Sequence, residues 1–175
     1  ELQRLEAALE QRLQQRGDIL YVGASNFPGW GLAKFQMAAW QRGNVGLVSE
    51  QSMYNLLCRY PELEVLPAAQ EFGIGVIPYM PVAGGILTGK RRSEAGSRTE
   101  QVEGEYGVRL GSYEALDRFS ELCQALGETE TAVAIAWTLH QPAVTSAIVG
   151  VRTLAHLEGL ERAASLKLDA EALKR

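Results

Sequence analysis

The chain has 175 residues, enough for a single domain over 1–175, and its 46% apolar content supports a sizeable core. A net charge of −4 and a pI of about 5.3 argue against nucleic acid or another polyanion as partner. The longest apolar runs are too short to cross a bilayer and the charged N-terminus is not a signal peptide, so a cytoplasmic protein without a membrane partner is expected.

The segment from Leu2 to Arg16 sets Leu5, Leu9 and Leu13 on one helical face, and Gly17 stops it. "ILYVGAS" then predicts a buried strand and "GWGLAKFQMAAWQRG" a helix ending at Gly43. "VGLVSEQ" predicts a second strand, "PELEVLPAAQEFG" a helix in its second part closed by Gly73, and "IGVIPYM" a third strand. A loop rich in Gly, Arg, Ser and Glu follows from Val82 to about Gly111. "SYEALDRFSELCQALG" and "TETAVAIAWTLHQ" predict two helices, "TSAIVGV" a fourth strand, and "TLAHLEGLERAASL" the closing helix. Cys58 and Cys123 match no metal-ligand spacing and read as buried thiols of a reducing compartment. His140 ends a helix and reads as a cap or surface residue.

The first three strands recur at about 27 or 28 residues with a helix between each, which requires parallel strands under helical cover. A barrel and a doubly wound sheet both fit. The absence of an early G-x-G-x-x-G after a first strand weighs against a dinucleotide fold of the doubly wound type.

In such architectures chemistry collects at the C-terminal ends of strands. The first strand end offers Ser25 and Asn26; the second offers Glu50, Gln51 and, just beyond, Tyr54 and Asn55. The third offers Tyr79, and the fourth Gly150 and Arg152. Two carboxamides and a hydroxyl can hold a planar amide from several sides, a tyrosine can stack on a flat ring, and Arg152 at a helix start favours an anion. Each residue also has a plainer reading. Ser25 and Asn26 could cap the next helix, Gln51 could be a satisfied strand end, Tyr79 could be core, and Arg152 could be solvated.

"YVGASNFPGW", "VSEQSMYNLLCRYPELEVLPAAQEFGIGVIPYMPVAGGILTGK" and "TSAIVGVRTLAHL" together resemble the aldo-keto reductases. The likeness is to the branch of bacterial oxidoreductases and voltage-gated potassium channel β subunits. It implies a (β/α)8 barrel of TIM type that binds NADP(H) at its C-terminal face, with this chain carrying strands five to eight and their helices. It implies that Ser25 and Asn26 hold the nicotinamide carboxamide, that Gln51 shares this task, and that Tyr79 stacks on the ring. Met80, Val82, Gly84 and Lys90 match the loop around the pyrophosphate, although the family often has Ser where Met80 stands. Arg98 resembles an arginine that reaches over the cofactor. Arg152, after Gly150, matches the site of the adenosine 2′-phosphate. Where the family holds adenine with Gln, an acid and Asn, this chain has His156, Gly159 and Leu160; His156 could still contact adenine, whereas Leu160 cannot hydrogen-bond it.

The resemblance places the family's catalytic Asp, Tyr, Lys and His in the first half, which this chain does not match. The expectation is therefore the cofactor half of an NADPH-dependent reductase of an aldehyde or ketone. The alternative is a non-catalytic NADP(H)-binding or regulatory module. Half a barrel leaves unpaired edges near Leu20 and Ile148 and an open apolar face. Pairing with a second copy, pairing with a chain carrying strands one to four, or membership in a longer protein would cover them.

Overall fold

Apolar runs separated by helices pair in parallel, because a crossover helix returns the chain to the same end of the sheet. The computed structural model describes residues 12–89, 113–151 and 153–173. In chain order these form β1 (Val22–Ser25), α1 (Gly29–Trp40), β2 (Leu47–Gln51), α2 (Val65–Phe72), β3 (Gly75–Val76), α3 (Tyr113–Leu126), α4 (Glu130–Leu139) and α5 (Leu154–Ser165). Short 3₁₀ stretches occupy Tyr60–Glu62 and Ala83–Thr88. Helical residues 12–16 precede β1 and end at Gly17, which adopts a left-handed φ of 76°.

The strands form a parallel sheet in the order β1-β2-β3, an α/β arrangement as expected. Among the described residues three strands form, where the sequence predicts four. The segment "TSAIVGV" and the Val144 just before it make only isolated parallel bridges, Val144 to Val76 and Ile148 to Tyr79. The ladder fails for two reasons. The step from Thr145 to Ile148, whose amides donate to the carbonyls of Val76 and Pro78, is one residue longer than the step between those carbonyls. Pro78 also lacks the N–H that a continuous ladder needs. The same proline limits β3 to two residues.

The described residues separate into two compact units. The first comprises those within Glu1–Ser52, Tyr60–Ile77 and Pro142–Thr145; the second, those within Met53–Arg59, Pro78–Gln141 and Ser146–Arg175. In the first, α1 packs against α2, burying Leu32, Phe35, Val65 and Ala69. Gln36 is buried with both ends of its carboxamide hydrogen-bonded. Its Nε2 donates to the Val45 carbonyl at 2.6 Å and its Oε1 accepts from the Leu47 amide at 3.0 Å, which ties α1 to the start of β2. Gly73 closes α2 in the left-handed conformation, as the sequence predicts. Leu20 and Tyr21, just before β1, are 80% and 69% exposed.

In the second unit α4 is apolar all round and is buried from Ala132 to Thr138, with α3 and α5 packed on it. Met53, Ala83, Ile86, Leu87, Leu116 and Ala134 form the core beside it. His140 is the C-cap of α4, as expected. Its Nδ1 lies 2.7 Å from the Ala136 carbonyl and its Nε2 accepts from the Leu168 amide at 3.3 Å, so the ring is held as the Nδ1–H tautomer. Cys58 is half-buried and Cys123 buried, both free thiols.

Two predictions follow from this packing. A Cβ added at Gly29 would stand 2.6 Å from the Glu64 carbonyl oxygen and 2.8 Å from its carbon, both backbone atoms that cannot rotate away. Gly29→Ala is expected to lower stability by about 1–3 kcal/mol, read as a lower urea midpoint at unchanged slope. Burial and the nearby Glu130 charge push the Cys123 thiol up to about 12, so it stays protonated at pH 8. A thiol-reactive dye at that pH is expected to label Cys123 only after the chain is unfolded; labelling of the native chain would contradict this.

Candidate functional site

β1 and β2 finish in register, with Ser25 opposite Gln51. A strand's last carbonyl has no ladder partner beyond it and must find other donors. The Gln51 carbonyl finds two at the tip of β1: the Asn26 amide at 2.9 Å and the Ser25 hydroxyl at 3.0 Å. Asn26 Nδ2 donates to Ser25 Oγ at 3.1 Å. To do so Asn26 takes a left-handed φ of 56°, a conformation asparagine enters more readily than most residues. Ser25 and Asn26 therefore do not cap the following helix. The N-cap of α1 is Pro28, with no side-chain bond. Their hydroxyl and amide, and the Gln51 side chain, remain exposed at one end of the sheet.

Beside Gln51, Glu50 is completely buried. Its Oε1 accepts from the Ser52 hydroxyl at 2.6 Å and from the Phe27 amide at 3.2 Å. Its Oε2 is buried with no hydrogen-bond partner among the described residues. Burial pushes the Glu50 pKa up; the Ser52 hydroxyl and the Phe27 and Asn26 amides oppose this but do not cancel it. Asn26, Phe27 and Ser52 also line a cleft of about 540 Å³, shared with Tyr60 and Leu63.

In the second unit Tyr79 is half-buried against the core cluster, so part of its ring serves packing, and Met80 and Val82 also pack there. Met80 and Ala83 take left-handed φ angles of 57° and 48°, and Gly84 and Gly85 continue at 66° and 110°. Asn55 sets up this bend, its Nδ2 donating to the Met80 carbonyl at 2.9 Å. Its Oδ1 accepts from the Leu57 and Cys58 amides. Asn55 and Tyr54 are thus fully buried structural residues and not groups offered at a strand end. Gly150 is exposed, with open space where a Cβ would be. His156 is exposed in the first turn of α5, which Thr153 caps through the His156 amide at 3.3 Å.

Of the residues singled out in the sequence, Ser25, Asn26 and Gln51 meet in one hydrogen-bonded knot, and Tyr79, Met80, Val82 and Gly84 share one bend. Lys90, Arg98 and Arg152 lie outside the described residues. Glu50 stands at the same strand end as Gln51, and the sequence assigns it no role. Its signal is a carboxylate at the next-to-last position of a short strand, because full burial of a carboxylate is rare unless it is paired. Among the described residues no cluster of His, Cys, Asp or Glu could hold a metal, and no helix is long and apolar enough to cross a membrane.

A profile of the aldo/keto reductase family matches residues 5–175. An uncharacterized oxidoreductase, YrpG, of Bacillus subtilis is 45% identical over 160 residues, 90% of this chain and 48% of its own length. A versiconal hemiacetal acetate reductase of Aspergillus parasiticus is 29% identical over 91% of this chain and 48% of its own. The structure of a glycerol dehydrogenase from Gluconobacter oxydans superposes with a TM-score of 0.81 at 26% identity, covering 98% of this chain and 52% of that one. The chain spans about half the length of the curated relatives it matches.

Glu50 also predicts a pH effect. Its folded pKa stands above the ordinary 4.5, so its contribution favours the folded state below that value and is lost as pH rises through the folded pKa. Glu50→Gln removes the titration. Urea unfolding at pH 4 and pH 7 is expected to show the variant gaining on the wild type at the higher pH. An equal difference at both would mean that Glu50 does not titrate abnormally.

Proposed function

We propose that this chain, which belongs to the aldo/keto reductase family, supplies the cofactor side of an NADP(H)-dependent reductase of aldehydes or ketones. The reading takes its strands as the fifth to eighth of a (β/α)8 barrel. Parallel β1, β2 and β3 with α1 and α2 between them, and the likeness to half of a larger dehydrogenase, support that placement. The remaining strands and the catalytic acid then come from outside the matched region, from a preceding half of the same protein or from a second chain.

The observation that carries the proposal is the knot of Ser25, Asn26 and Gln51. It presents the Ser25 hydroxyl and the Asn26 carboxamide, held by hydrogen bonds, with the exposed Gln51 side chain beside them, at the carboxyl end of parallel strands. A primary carboxamide offers two N–H donors and a carbonyl acceptor, which this set can complement from more than one side. Tyr79 presents a half-buried ring suited to stacking on a flat heterocycle. The bend at Met80–Gly85 exposes backbone of the kind that approaches phosphate closely, because Gly84 and Gly85 add no side chain. A nicotinamide whose carboxamide is held at the knot would deliver hydride to a carbonyl carbon. This chain's part is to bind and orient, while proton donation to the carbonyl oxygen falls to the other half.

A fluorescence titration with NADPH tests the reading. Wild type is expected to bind in the micromolar range, and Ser25→Ala/Asn26→Ala to weaken binding by about tenfold or more through lost hydrogen bonds. Equal affinity in the two would sink the cofactor assignment.

A further inference from the structure

Resting on that reading, we propose that Glu50 is a positioning residue for the carboxamide clamp, its buried Oε1 fixing the turn that carries Asn26 by accepting the Phe27 amide. Three observations in the first unit lead there. The Asn26 backbone is held in a left-handed conformation that is not its preferred state, so something must restrain the next peptide. The Phe27 amide is that peptide's donor, and it points at Glu50 Oε1 at 3.2 Å. The carboxylate is itself held from the other side by the Ser52 hydroxyl at 2.6 Å, which fixes its rotamer.

The cost of this arrangement is visible. Glu50 is fully buried and one of its oxygens has no partner among the described residues. An apolar side chain in β2 would avoid that cost. A buried carboxylate with an orphaned oxygen beside an exposed polar cluster is explained if its acceptor has work at that cluster. That work is geometric. On one side of the Asn26 turn the Gln51 carbonyl takes the Asn26 amide, and on the other Glu50 takes the Phe27 amide. Two consecutive amides, anchored to two consecutive residues of β2, fix the backbone that carries the Asn26 side chain, whose Nδ2 then reaches Ser25 Oγ. The Asn26 side chain is the group that meets the ligand, and Glu50 acts only through it.

The test compares the full chain with Glu50→Ala and Glu50→Gln, using two ligands: NADPH, and 2′,5′-ADP, which lacks the nicotinamide. Glu50→Ala is expected to weaken NADPH by about tenfold while 2′,5′-ADP binding holds within about twofold. Glu50→Gln keeps an oxygen acceptor and is expected to restore most of the NADPH affinity. Should Glu50→Ala not fold, Glu50→Leu removes the acceptor at similar volume and is read in the same way. Parallel loss of both ligands would assign Glu50 a general folding role and overturn the proposal. So would Glu50→Ala binding NADPH like wild type, or Glu50→Gln binding as poorly as Glu50→Ala. Failure of wild type itself to bind NADPH would instead remove the cofactor reading, and the proposal with it.

Discussion

The parallel pairing of β1 with β2 is the constraint on which the rest of the first unit depends. Parallel ladders end with their last carbonyls facing the same way, and no further strand residue satisfies them. Here Ser25 stands opposite Gln51, so the hydroxyl of one strand and the amide beyond it fall on the carbonyl of the other. A slip of one residue would turn Ser25 to the other face and leave Gln51 without donors. The polar pair after an apolar run thus belongs to the sheet's own termination. Its exposed atoms are available to a ligand because the backbone beneath them is already satisfied.

The second unit solves a different problem. Left-handed backbone at Met80 and Ala83 costs on the order of 1 kcal/mol or more at each, since both carry a Cβ. Asn55 offsets part of this by bonding the Met80 carbonyl, and the buried Ala83, Ile86 and Leu87 anchor the bend from the other side. Strain of this kind persists where surrounding structure over-determines it, and it clusters at ligand-binding bends. A tight, glycine-bearing turn locked into a core lets other groups approach its backbone closely.

Much of the organisation was legible in the residues. The helices behind "GWGLAKFQMAAW", "YEALDRFSELCQAL" and "ETAVAIAWTL" follow from apolar spacing, and Gly73 closes its helix for the reason that glycine usually does. The fourth strand was not legible. "TSAIVGV" has strand composition, but pairing needs a partner with N–H groups in step, and Pro78 and the extra residue before Ile148 deny it that. Tyr54 and Asn55 misled for a related reason: polar residues past a strand end can face solvent or organise a turn, and only the fold shows that Asn55 bonds the Met80 carbonyl.

The sequence by itself determined the alternation of apolar runs and helices, the parallel sense of the sheet and the Ser-Asn pair at a strand end, because periodicity and turn chemistry are local. The motif order carried the family as well. Only the tertiary structure decided that Ser25, Asn26 and Gln51 close one knot, that Ser25 and Asn26 leave the helix cap to Pro28, and that Glu50 is wholly buried against Phe27 and Ser52. Those facts depend on strand register and on which neighbours exclude water. A hydrogen bond between residues 23 or 26 positions apart has no local signature, since it is formed by the pairing of strands and not by the chemistry of either segment alone.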